Sequence, residues 1–265
     1  MTKKRMAPLS YRALCLAGGL VLFFLLRMGA NALQRLTEPG LSPFGNALLS
    51  ALSYLVMMGF PLLLLVFLLE MPRRKLLPLR PSPRGTVLLL PASLGGLVLL
   101  NLLGSRLADT LFSELPLPDA APVFSQEPAA FTVELLSCTV LPAFLEEFLF
   151  RGVLLRALLP AGEKTAVLLS ALVFTLCHAS PAQWLPALGA GLWFGFVTLR
   201  TGTLRPTVRA HFWYNVFAAV SALAPGPLFH AVLPVLFIIT GAVTLPAAVK
   251  KGLLRPKAQP KGGRT

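Results

Sequence analysis

The run Leu141-Pro-Ala-Phe-Leu-Glu-Glu-Phe-Leu-Phe-Arg151 decides how this chain is read. It lies in an apolar stretch from about 131 to 159 that suits lipid, yet it holds two adjacent carboxylates, Glu146 and Glu147. An ionised side chain at bilayer depth costs at least about 2.5 kcal/mol even on lenient insertion scales, so two together require a partner or a wet cavity. The run therefore marks a membrane-embedded helix and a functional site within it.

The flanking sequence supplies the bundle around that helix. Apolar residues make up 55% of the 265 residues, mean hydropathy is +0.74, and the apolar runs recur along the whole length, as in a polytopic membrane protein. A hydrocarbon core of about 30 Å needs roughly 20 helical residues to cross it. Eight segments qualify, approximately 10 to 32, 45 to 69, 86 to 108, 131 to 159, 164 to 179, 183 to 199, 206 to 224 and 228 to 249. The expected fold is all-α, a transmembrane bundle of about eight helices. A single domain covers 1 to 249, with a catalytic core at about 131 to 224, followed by a basic tail from 250 to 265. The first apolar run lacks a convincing cleavage site and is expected to stay as a span.

Charge gives the orientation. The net charge of +14 comes from Lys and Arg clustered between apolar runs, a pattern for setting topology and meeting anionic lipid rather than nucleic acid. Lys3, Lys4, Arg5 and Arg12 precede the first span, and Arg73, Arg74, Lys75, Arg80 and Arg84 follow the second. Arg156 and Lys164, then Arg200, Arg205 and Arg209, and finally Lys250, Lys251 and Arg255 fall at later even-numbered connections and at the end. The connection from 109 to 130 carries Asp109, Glu114, Asp119 and Glu127 with no Lys or Arg, as a translocated loop would. Both termini are expected in the cytoplasm. Leu, Ala and Arg bias with modest size points to a bacterial inner membrane. Cys15, Cys138 and Cys177 have no CxxC spacing and read as small core residues.

Three helices carry polar groups that lipid excludes. Glu147 and Arg151, four apart, share a helix face and can pair, whereas Glu146 points about 100° away. Phe174-Thr-Leu-Cys-His178 sets a histidine one turn beyond a phenylalanine, and His211-Phe-Trp-Tyr-Asn215 puts two polar residues on one face. These groups are best satisfied together in the bundle interior. Individually each has a structural explanation, as an ion pair, a carbonyl-bonded histidine or an interhelical amide. Asn101 reads as packing glue, Arg27 and Arg106 as snorkelling side chains, and His230 as an exposed loop residue. Depth raises a difficulty: His178 lies roughly 20 Å and His211 about 8 Å from the starts of their spans, so the boundaries at 164 and 206 are suspect.

Taken jointly, Glu-Glu-x-x-x-Arg, Phe-x-x-x-His and His-x-x-x-Asn resemble the signature of the CPBP (ABI) intramembrane proteases, which include the type II CAAX prenyl endopeptidases. The resemblance covers about 135 to 220 and implies catalytic Glu146, His178, His211 and Asn215, supported by Glu147, Arg151 and Phe174. It implies an endopeptidase acting on a lipidated or membrane-associated peptide, with Glu146 as general base, His178 orienting water, and His211 and Asn215 serving the oxyanion. A zinc ion on His178, His211 and a glutamate is the alternative, although no His-Glu-x-x-His helix is present. Two further functional readings stand beside the enzyme, a non-catalytic immunity or scaffold protein of the same family and a proton-coupled transporter. The substrate and the oligomeric state are not legible.

Overall fold

The computed structural model describes residues 8–70, 81–112, 114, 122–224 and 226–255. Lys3, Lys4, Arg5, the basic stretch Arg73 to Arg80, Asp119 and the tail beyond Arg255 lie outside the described residues. Among those described, the regular structure is all helical, with eight long helices at the eight expected places. They are α1 (Leu9–Thr37), α2 (Pro43–Leu68), α3 (Leu89–Phe112), α4 (Pro128–Glu146), α5 (Glu163–Leu176), α6 (Trp184–Thr201), α7 (Arg205–Leu223) and α8 (Leu233–Lys250).

Six stretches are long and apolar enough to cross a membrane, namely Leu9–Gly40, Pro43–Leu68, Thr86–Phe112, Pro128–Ala161, Pro181–Thr201 and Leu228–Lys250. This is two fewer than the expected eight. The two helices that fall short are α5, which has only 14 residues and reaches about 21 Å, and α7, which carries Arg205, Arg209, His211 and Asn215. They are the pair that bring His178 and His211. The same polar content that makes a site lowers the signal for a span.

The apolar surface is turned outward. Leu36 is 81% exposed and Phe67 78%, a distribution suited to lipid chains and not to water. This is an integral, multi-pass membrane protein.

Without a hydrophobic drive between helices in lipid, close approach through small residues becomes important. Gly95 on α3 and Gly241 on α8 supply it, because a Cβ at Gly95 would stand 2.3 Å from the Phe237 carbonyl oxygen. Gly191 on α6 likewise meets Ala171 on α5, where a Cβ would lie 2.6 Å from the Ala171 backbone. Arg12 does not flank the first span as expected. It lies inside α1, buried, and donates from Nη1 to the Ala157 carbonyl at 3.3 Å.

The critical departure from regular helix falls on the quoted run. After Pro142, which has no N–H to donate, α4 widens into a π-helical segment, Glu147–Leu154, followed by a short α-helical turn, Leu155–Leu158. Such i→i+5 segments are rare and concentrate at functional sites. Within it the Phe150 carbonyl accepts both the Leu155 N–H and, at 3.0 Å, the Ser170 hydroxyl of α5. The widened turn is thereby tied to the helix that ends at the Phe-x-x-x-His motif.

The depth difficulty has a different answer from the one expected. The boundaries stand within one residue, at Glu163 and Arg205. Instead, the turn before α7 is itself buried, with Leu204 at 0% and Thr203 at 1% exposure, as is the first turn of the helix at Thr207, also 1%. Gly202, at φ 71°, makes the left-handed reversal. α7 therefore starts deep in the molecule, while α5 stops short, and His178 and His211 arrive at one level.

Candidate active site

Glu147 and Arg151 form the buried base of the site, both at 0% exposure. Arg151 Nη1 lies 2.9 Å from Glu147 Oε1. That contact is coulombic rather than directional, since the three guanidinium nitrogens have no partner in hydrogen-bond geometry among the described residues. The guanidinium instead stacks on aromatic faces, 4.3 Å from the Phe174 centroid and 5.5 Å from that of Phe194. Cation–π contacts of this kind strengthen when desolvated. Phe174 thus links the first motif to the second.

His211 joins the two carboxylates. Its Nδ1 is 3.1 Å from Glu147 Oε1, and its Nε2 faces Glu146 Oε2 at 3.7 Å. Because a carboxylate accepts, Nδ1 carries the hydrogen directed at Glu147. Glu146 is not left without partners, as its position on the helix suggested. The Tyr54 hydroxyl of α2 donates to Glu146 Oε1 at 2.6 Å.

His178 lies just past the end of α5, half-buried, with Nδ1 2.8 Å from the Phe174 carbonyl oxygen. That bond assigns the hydrogen to Nδ1 and frees Nε2. The ring meets Phe174 edge-on at 4.8 Å, and Phe174 lies 6.4 Å from the His211 ring. Arg27 is not a snorkelling residue. Its Nη1 donates to the Cys177 carbonyl at 2.7 Å, clamping the turn that presents His178. His230 is exposed, as expected, but it lies on a helical turn, Leu228–Val232, rather than in a loop.

Two cavities meet at His178. One, about 250 Å³, is lined by Glu146, Tyr54, Arg27 and His178. The other, about 240 Å³, is lined by His178, His211, Asn215, Tyr214 and Asn101. Asn101, read from sequence as glue, faces this second cavity. All seven residues singled out in the three motifs are therefore brought around one point. Tyr54 and Arg27 were missed as site residues, though a lone tyrosine in the second span and an arginine well inside the first were visible signals.

The donors fit a metal poorly. Among the described residues no group of three or more His, Cys, Asp or Glu is placed to hold an ion, and His211 has one ring nitrogen committed to Glu147 and the other turned to Glu146. The metalloprotease reading finds no support here, and no step below runs through a metal.

The fold and this buried constellation define a class, a multi-pass membrane protein with an acid, base and cation cluster within its bundle. Residues 128–217, about a third of the chain, match the family model described as type II CAAX prenyl endopeptidase Rce1-like, so this segment is similar to that family of proteases. The matched segment holds all three motifs. No curated protein and no solved structure matches the chain.

Proposed function

We propose that this protein is an intramembrane endopeptidase that hydrolyses a peptide bond of a lipidated or membrane-associated substrate through Glu146. The observation that carries the reading is Glu146 itself, buried, fixed through one oxygen by Tyr54 and turned through the other toward His211. A carboxylate so held beside a cavity has the geometry of a general base.

In the proposed reaction, water bound between Glu146 and His178 Nε2 loses a proton to Glu146 while its oxygen attacks the substrate carbonyl carbon. In this reading His211 and the Asn215 amide serve the resulting oxyanion. Glu146 then returns the proton to the amide nitrogen as the C–N bond breaks. Glu147, Arg151 and Phe174 hold this arrangement without touching substrate.

The same reading has all eight helices as membrane segments, the termini in the cytoplasm and the host membrane as a bacterial inner membrane, in line with the basic and acidic connections. The experiment is a survey of protein termini in membranes carrying wild type or Glu146→Gln at equal abundance. Termini that require Glu146 are the expected result. Identical termini with a folded variant would overturn the protease reading.

A further inference from the structure

A third cavity, about 530 Å³, adjoins the candidate site and has no role in the mechanism above. Its volume is in the range of about 300–1,000 Å³ typical of pockets that bury a ligand. It shares Asn101, Tyr214 and Ala218 with the cavity at His211 and Asn215, so the two adjoin across these residues. From there it runs along α3 and α7 to the bundle end that carries Phe112 and Leu223.

The lining explains an otherwise unfavourable pattern in α3. Asn101, Ser105 and Asp109, at four-residue spacing, form one polar stripe on a mainly apolar helix that also carries Ser93, Arg106 and Thr110. All three face this cavity. Across it, Ser221 Oγ of α7 is buried with no hydrogen-bond partner among the described residues. Polar groups placed so in a membrane bundle require water or a polar ligand to satisfy them. The wall is set by Gly104, where a Cβ would stand 2.8 Å from the Ala182 carbonyl, which draws the start of α6 onto α3.

We infer that this trough is the substrate-binding groove: an extended peptide segment enters at Asp109, lies between α3 and α7, and delivers its scissile bond to His178 and His211. The inference rests on the protease reading and deepens it. From Asn101 to Asp109 the helix rises about 12 Å, the reach of about four residues of extended chain. A backbone in that trough can satisfy Asn101, Ser105 and Ser221 through its own amides. Asp109 at the mouth selects a basic or uncharged side chain about four residues from the cut.

The test plugs the trough at its joint. In a chain with Cys15→Ser and Cys177→Ser, Cys138 on the wall of the site cavity reports access by a water-soluble maleimide in detergent micelles. Ala218→Trp is expected to slow this labelling at least tenfold in the folded protein and to leave it unchanged in denaturing detergent, which separates plugging from misfolding. In the terminus survey, Ala218→Trp is expected to abolish the Glu146-dependent cuts at equal abundance, and Asp109→Lys to shift surviving cuts toward acidic residues about four positions away. Parental labelling in folded Ala218→Trp, or an unchanged set of cuts in either variant, would overturn the groove. If Glu146→Gln itself changes no termini, the protease reading fails, and the labelling arm still decides whether the trough is the way in.

Discussion

Tyr54 of α2 donates its phenolic hydrogen to Glu146 Oε1 at 2.6 Å, across 92 positions of sequence. The bond holds one carboxylate oxygen and leaves the other, Oε2, turned toward His211. Hydrogen bonds to charged groups contribute about 1.5–3 kcal/mol. Tyr54→Phe keeps the ring and its packing, so kcat should fall roughly 10- to 100-fold with KM little changed. Steady-state kinetics on a peptide identified by the terminus survey check this, and a selective rise in KM would argue against the assigned role.

Arg151 and Glu147 predict an asymmetry in stability. Both are fully buried, and removing one member of a buried pair leaves an uncompensated charge at a cost of about 3–5 kcal/mol. Arg151→Leu should therefore lower the thermal unfolding midpoint in detergent and reduce abundance. The double variant Glu147→Gln with Arg151→Met removes both charges and should recover most of that stability while activity stays lost. Equal destabilisation by the single and double variants would show that packing, not charge, governs the site.

Arg27 makes a separate claim on the geometry of His178. Its 2.7 Å bond to the Cys177 carbonyl holds a turn that has already left the helix. Arg27→Gln should loosen that turn, lowering kcat and raising the rate at which Cys177 reacts with a thiol reagent. Arg27→Lys, which retains a donor and charge, should restore part of both. Unchanged Cys177 reactivity in Arg27→Gln would remove the clamp from the account.

The helical class and the three motifs were legible because helix periodicity is local: Glu147 and Arg151 meet on one face, and the apolar runs mark all eight helices. The supports of Glu146 and of the His178 turn were not, since Tyr54 and Arg27 come from α2 and α1 respectively, far away in sequence and outside the matched segment 128–217. Hydropathy also could not tell that the turn at 201 to 204 sinks into the protein. Buried Thr201, Thr203 and Thr207 read in sequence like a surface loop, and the depth of α7 depends on what packs around them.

The α3 and α8 contact tests whether close backbone approach supports the groove wall. A Cβ at Gly95 would lie 2.3 Å from the Phe237 carbonyl oxygen, a distance that backbone must yield to, whereas at the neighbouring Gly96 nothing lies within 4 Å. Overpacking of this kind typically costs about 1–3 kcal/mol, and a clash with backbone leaves no rotamer to relieve it. Gly95→Val should lower the unfolding midpoint in detergent clearly, and it should also reduce activity, because α3 carries Asn101, Ser105 and Asp109 on the same rigid helix. Gly96→Val, one residue along and facing open space, should leave both nearly unchanged. Equal effects at the two positions would assign the loss to helix propensity alone and detach the α3–α8 seam from the position of the groove.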